Sequence, residues 1–242
     1  MAQTAIGSAP ETGATEPWVL VTGNGGYGEA AERADWKYDV NPTSGIARSL
    51  DGEVVAGHRV RGIALDWDRY PAETLEPIFD EFADRPPALV ISLGVFSRRP
   101  TVSIERVAVN VRDFQFADGG YRPSGEPVWA DGPAAYLSTL PIKAVTRAIR
   151  EAGIPALVSN SASTHGCNSV MYTLLHLAAQ RGLSTRTGFI HLPDPPEHIA
   201  AIGSDGPSMA LDLQTEAVRV AIAASIAHPD RDLPIPANEW EW

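Results

Sequence analysis

The only cysteine of the chain, Cys167, stands in the segment Ser159-Asn-Ser-Ala-Ser-Thr-His-Gly-Cys-Asn-Ser-Val-Met-Tyr172. Small polar residues precede it, and apolar residues at helical spacing follow from Val170, which puts the sulfur in the first turn of a predicted helix. Unpaired amides and the positive end of the helix dipole favour a thiolate there. The same amides can face an oxyanion developing on an attacked carbonyl. The competing reading is a cysteine serving as a small buried hydrophobe. The loop-to-helix setting leaves both readings open.

A nucleophilic sulfur needs a base, and the base needs an acceptor that fixes its tautomer. Among the six histidines, His191 stands out because Gly188-Phe-Ile-His-Leu-Pro193 reads as a short strand stopped by proline. A histidine at a strand's end is delivered to the sheet edge where α/β sites form. His165 is close to Cys167 in sequence, but a tight turn seldom aims neighbours at each other, so it is the weaker candidate base. His176 reads as packed or solvated, and His58, His198 and His228 read as surface residues. For the third member, Glu105 lies in Val102-Ser-Ile-Glu-Arg-Val-Ala-Val-Asn110, where apolar neighbours imply a partly buried carboxylate that must have a partner. Its plainer reading is an ion pair with Arg99 or Arg106.

A glycine-rich loop, Val21-Thr-Gly-Asn-Gly-Gly-Tyr-Gly28, follows the first predicted strand and invites a nucleotide reading. An acidic segment follows where a helix should start at once, the second strand ends in Leu65-Asp-Trp-Asp without clear ribose geometry, and no Gly-Lys-Ser/Thr is present. Nucleotide binding therefore ranks last among the functions considered.

Elements that could position these groups are legible in the apolar pattern. Short runs rich in Val, Ile and Leu predict strands at Trp18–Thr22, Val54–Leu65, Ala88–Gly94 and Ile154–Ser159, with a fifth at Val107–Val111. Helical spacing predicts helices at Ala72–Phe82, Pro141–Ala152, Val170–Ala179 and about Leu211–Ile226. Alternation of the two predicts a single α/β domain, a three-layer α/β/α sandwich with a mostly parallel twisted sheet. The segment Phe114–Ala135, rich in Gly, Pro and polar residues, is expected as a surface excursion bordering the site. Residues 1–17 are expected as a solvated tail, 18–228 as the catalytic domain, and 229–242 as an extension packed on the body or on a neighbouring subunit.

The 242 residues carry a formal charge of −11, with 44% apolar and 20% charged residues. These are ordinary globular proportions. The acidic balance and the lack of a basic run argue against nucleic acid as a partner. A single cysteine allows no intramolecular disulfide and no Cys-rich metal site, which fits a reducing compartment. The first residues lack the basic start and apolar core of a secretory signal, and no run reaches the ~18–20 apolar residues that span a bilayer. The expectation is a soluble cytoplasmic protein without membrane contact.

At three places the sequence resembles the pyroglutamyl peptidase I family, cysteine peptidases that remove an N-terminal pyroglutamyl residue. Ser103–Asn110, Ser159–Tyr172 and Gly188–Pro193 are similar to its Glu, Cys and His boxes. Asn41-Pro42, Asp131–Lys143, Arg147–Pro155 and Pro207–Asp212 extend the similarity from about Trp18 to about Ala227. The resemblance implies Cys167 as nucleophile, His191 as general base and then acid, and Glu105 as the residue orienting His191. It also implies a thioester intermediate, no metal or cofactor, a small peptide or amide substrate, and a homotetramer.

Departures from the family pattern gather around substrate recognition. Asn24, Gly26 and Tyr27 stand where the family has Phe, Pro and Phe in its first loop, whose rings sandwich the flat lactam. Ser97-Arg98-Arg99 replaces Gly-Gly-Arg, Val95 stands where Gln or Leu is common, and Gln115 replaces an Arg. In the Cys box, Ser163, His165, Gly166 and Ser169 replace Gly, an aromatic residue, Val and His, and Glu29–Val40 is longer than its counterpart. The substrate-binding set is thus expected to be Asn24, Tyr27, Val95, Gln115 and His165. The function implied is hydrolysis of a pyroglutamyl or related cyclic acyl amide. Alternatives are a relative that cleaves or forms a different amide in small-molecule metabolism, and a non-catalytic binding protein on the same fold.

Overall fold

The computed structural model describes residues 16–25, 38, 40–65, 71–82, 84–115 and 122–234. Tyr27, Gly26, most of Glu29–Val40, most of the expected N-terminal tail and the tryptophans of the C-terminal extension lie outside the described residues.

In chain order the elements are β1 (Trp18–Asn24), α1 (Pro42–Leu50), β2 (Val54–Val55), β3 (His58–Leu65), α2 (Pro71–Glu81), β4 (Leu89–Val95), β5 (Val102–Glu105), β6 (Val107–Val109), β7 (Arg112–Asp113) and β8 (Ser124–Glu126). They continue with β9 (Ala135–Leu137), α3 (Ile142–Glu151), β10 (Ala156–Ser159), α4 (Gly166–Gln180), β11 (Arg186–Leu192), α5 (Pro196–Ala201) and α6 (Leu211–Ala227). The main sheet runs β10-β5-β11-β4-β1-β3-β2. Its pairs are parallel except β11 with β5 and β2 with β3.

Period-two alternation along the strands divides the apolar side chains between two cores. Val19, Val21, Ile91, Leu93, Ile190 and Leu192 pack on one face with residues of α1, α3 and α6. Leu20, Val90 and Phe189 pack on the other with α2 and α4. The three layers are those the sequence predicts.

The second predicted strand is two strands. Val54–Leu65 folds into a hairpin because Ala56 and Gly57 take left-handed backbone, φ 48° and 76°, and turn β2 back onto β3. Helix α1 went unpredicted. Asn41 caps it, its side chain accepting from the Thr43 N–H, and Pro42 opens its first turn. Val107–Val111 leaves the main sheet, and β6 pairs instead with β9. The excursion after Phe114 is partly ordered: β8 pairs with β7, and Ala135 opens β9.

Two segments expected to be peripheral are anchored. Glu16 pairs with Arg59 at 3.0 Å and accepts a bond from Arg85 through its carbonyl. Asp232 accepts from the backbone N–H of Lys143 and Ala144, at 3.0 and 2.9 Å, satisfying amides at the start of α3.

Candidate active site

The antiparallel register of β5 and β11 builds the centre of the site. His191 lies opposite Ser103, so Glu105, two residues on, is its diagonal neighbour on the same face of the sheet. His191 Nδ1 is 2.7 Å from Glu105 Oε1, and both side chains are buried. A carboxylate only accepts, so Nδ1 carries the proton and Nε2 is left for chemistry. The ion pair offered as the plainer reading of Glu105 also exists: Arg99 Nη1 donates to the same Oε1 at 2.7 Å, and its Nη2 to the Ser161 carbonyl at 3.1 Å. Glu105 thus orients the histidine and is itself neutralised.

Cys167 is the second residue of α4, in the first turn, where the sequence puts it. His165 at the N-cap has extended backbone and makes no capping bond through its side chain, so the first amides of the helix are not served by that ring. Cys167 is partly exposed, and its sulfur and His191 line the same cavity. Asn168 ties the start of α4 to the neighbouring chain: its side chain bonds Val109 N–H and carbonyl, both at 2.9 Å, and the Val111 carbonyl at 3.1 Å.

Burial alone would lower the affinity of His191 for a proton. The negative sulfur of Cys167 and the Glu105 carboxylate outweigh it and push the imidazole up to about 9. For Glu105, burial raises the carboxyl, but bonding and charge from His191 and the Arg99 charge overcome this and hold it below its usual value. The imidazole is thus drawn toward its protonated form beside a carboxylate held in its charged form.

A cavity of about 340 Å³ opens over the sulfur, lined in part by Asn24, Val95, Gln115, His165, Cys167 and His191. Four of the five expected substrate-binding residues therefore meet around Cys167; the fifth, Tyr27, is outside the described residues. Asn24 Nδ2 lies 3.7 Å from Cys167 Sγ. The His165 ring stacks on Phe114, centroids 3.9 Å apart. Gln115 is exposed at the rim.

Other residues of the site were given no role from the sequence. Gly94 is level with His191 in the parallel pairing of β4 and β11, and a Cβ there would meet Phe189 and the Cys167 sulfur. Phe96 packs its ring edge-on to His191 at 5.1 Å and lies under the Arg99 guanidinium at 3.9 Å. Tyr38 lines the cavity and donates to Asp194 at 2.5 Å, while His198, expected at the surface, is half-buried against the Tyr38 ring. Two non-glycine residues of the lining, Arg98 and Ser163, have left-handed backbone, φ 77° and 64°. Ser163 is locally compensated, since its Oγ accepts the His165 N–H at 3.1 Å.

His176 lies away from this centre, buried, with its Nδ1 3.0 Å from the Tyr136 hydroxyl. Among the described residues, no group of three or more His, Cys, Asp or Glu is arranged to hold a metal ion. No described helix is long and apolar enough to cross a membrane.

Comparison with known proteins gives a consistent picture. A family model described as pyroglutamyl peptidase matches residues 18–228. The chain is 46% identical over 189 residues to a pyrrolidone-carboxylate peptidase of Chromobacterium violaceum, covering 77% of this chain and 86% of that one. It is 40% identical over 189 residues to another from Thermococcus onnurineus, covering 78% and 92%. Among solved structures, the pyrrolidone carboxyl peptidase from Thermococcus litoralis superposes with a TM-score of 0.80 at 32% identity, covering 91% of this chain and 99% of that one. Pyroglutamyl peptidase I from Bacillus amyloliquefaciens superposes at 0.81 with 30% identity, covering 92% and 100%.

Proposed function

The chain belongs to the pyroglutamyl peptidase family, and from that premise we propose that it is a cysteine exopeptidase removing an N-terminal pyroglutamyl residue through Cys167, His191 and Glu105. The observation that carries this is the 2.7 Å bond from His191 Nδ1 to Glu105, which leaves Nε2 for chemistry beside the sulfur that lines the same cavity.

The steps follow from the geometry. The Cys167 thiolate adds to the carbonyl carbon of the scissile amide, and the π electrons move onto oxygen as an oxyanion. The backbone N–H of Cys167, in the first turn of α4, is available to that oxyanion. The intermediate collapses, the C–N bond breaks, and His191 Nε2–H gives its proton to the departing amine. The remaining thioester is attacked by a water whose proton passes to His191 Nε2. The C–S bond breaks, pyroglutamate leaves, and the sulfur and imidazolium are restored. Throughout, Nδ1–H stays on Glu105, and Arg99 balances that carboxylate.

Residues 18–228 are taken as the catalytic unit, working as a cytoplasmic homotetramer; sedimentation at equilibrium tests the assembly. The polar side chains of Asn24 and His165 on the cavity support a second reading, a related cyclic acyl group more polar than pyroglutamyl. Turnover of a pyroglutamyl reporter amide by the native chain, and its loss in Cys167→Ser, tests the first reading. Turnover only of another acyl amide in a mass-spectrometric panel would favour the second. No turnover of any amide would leave a binding protein.

A further inference from the structure

We propose that the side chain of Asn24 takes part in catalysis as a two-pronged clamp. Its Nδ2 donates to the oxyanion formed at the scissile carbonyl, and its Oδ1 accepts an N–H carried by the acyl group beside that carbonyl. The proposal rests on the pyroglutamyl reading above and narrows it to acyl groups bearing such an N–H.

The first prong follows from where Nδ2 already sits. It lies 3.7 Å from Cys167 Sγ. An anionic sulfur only accepts, so the amide presents nitrogen rather than oxygen to it. When the sulfur adds to a carbonyl, negative charge moves from sulfur to the oxygen on the adjacent carbon. A donor in contact with the sulfur is within reach of that oxygen, so it can follow the charge. Together with the Cys167 N–H it would give the oxyanion two donors.

The second prong follows from an unpaired atom. Asn24 is 4% exposed, and its Oδ1 has no hydrogen-bond partner among the described residues. A buried acceptor without a donor is costly, and such atoms in native proteins call for an explanation. Asn24 lines the cavity, so a bound molecule can supply the missing donor. In a pyroglutamyl group the ring N–H and the scissile carbonyl are attached to the same carbon. One planar carboxamide can therefore pair with both, its NH₂ on the oxygen and its oxygen on the N–H.

The clamp is held ready before substrate arrives. Asn24 N–H donates to Thr43 Oγ1 at 3.0 Å, and Thr43 Oγ1 donates to Asn41 Oδ1 at 2.7 Å. The preceding Gly23 lies flush against the Thr43 carbonyl, where any Cβ would collide. A donor fixed in this way need not reorganise as charge develops.

The test measures kcat and KM for native protein, Asn24→Ala and Asn24→Leu on a pyroglutamyl reporter amide and on its lactone analogue, in which ring oxygen replaces the N–H. Thermal unfolding checks that each variant is folded. Affinity for pyroglutamyl aldehyde, which adds Cys167 to give a tetrahedral oxyanion, is measured alongside. The expected result is a kcat lowered ~100-fold with a smaller change in KM, as for loss of one oxyanion donor. Aldehyde affinity should weaken by a similar factor, and the native preference for lactam over lactone should disappear. Folded variants that keep native kcat, or that lose kcat while keeping aldehyde affinity and the lactam preference, would overturn the clamp alone. Failure of the native protein to cleave any pyroglutamyl compound would overturn the pyroglutamyl reading, and the clamp with it.

Discussion

A Cβ on Gly94 would stand 2.9 Å from the sulfur of Cys167. The proposed nucleophile therefore rests against bare backbone, at the β4 position level with His191. Gly94→Ala should destabilise the fold by about 1–3 kcal/mol through overpacking. It should also lower kcat/KM by ~100-fold, because small displacements of a reacting group are expensive. Thermal unfolding and reporter turnover check both effects; near-native turnover in Gly94→Ala would show that the sulfur has room to spare.

Arg99 and His191 share one oxygen of Glu105, each at 2.7 Å, and their losses should differ in kind. Glu105→Gln removes the charge that stabilises the imidazolium and should reduce kcat by roughly 10³-fold or more. Arg99→Gln leaves the His191 bond in place but takes a partner from a fully buried carboxylate. It should cost about 1–3 kcal/mol of stability and a smaller factor in kcat. Equal kinetic losses in the two variants would contradict this division.

His191 is raised to about 9 from an ordinary 6.5, against burial and chiefly by the Cys167 charge. A group that binds its proton more tightly when folded contributes stability that is complete below about pH 6.5 and disappears as pH rises to about 9. The unfolding temperature should therefore fall across that interval. In Cys167→Ser the raising charge is gone, so the fall should flatten and the imidazole should titrate lower, as read by NMR of its ring protons. A titration unmoved by the serine would assign the shift to Glu105 instead.

Arg98 occupies left-handed backbone at φ 77°, in a turn closed by the Arg99 N–H to the Phe96 carbonyl at 3.2 Å. A turn of this kind favours glycine at that position. Arg98→Gly should raise stability by up to ~1 kcal/mol, whereas Arg98→Ala should not. Denaturant melts compare the two. A destabilised glycine variant would mean that the arginine side chain outweighs the cost of its backbone.

The three residues that the structure brings together, Cys167, His191 and Glu105, were legible because each has a local signature: sulfur at a predicted helix start, imidazole at a strand's end, carboxylate among apolar neighbours. The layers were legible because the central strands are short and saturated with Val, Ile and Leu. Helix α1 escaped because Pro, Thr, Ser and Gly dilute its pattern. Tertiary contact decides that helix: Gly23 and Gly62 lie flush against its backbone, where a Cβ would collide with Thr43 and Ala47. The Tyr38–Asp194 bond joins residues 156 positions apart, and nothing local announces it. Arg99 was legible only as an alternative to the triad, because spacing cannot reveal that one carboxylate serves two cations.

Traced outward from the sulfur, the row Cys167, His191, Glu105, Arg99 alternates in sign once the sulfur is a thiolate, and it reaches solvent only at its ends, through the partly exposed sulfur and through Arg99, 20% of whose side chain is exposed. Such a string sums to zero only when its membership is even. Neutralising one member strands an uncompensated ion in the interior, whereas neutralising two adjacent members leaves a shorter balanced string. Replacements here should consequently be tolerated by the fold in adjacent couples more readily than one at a time, even though the chemistry survives neither.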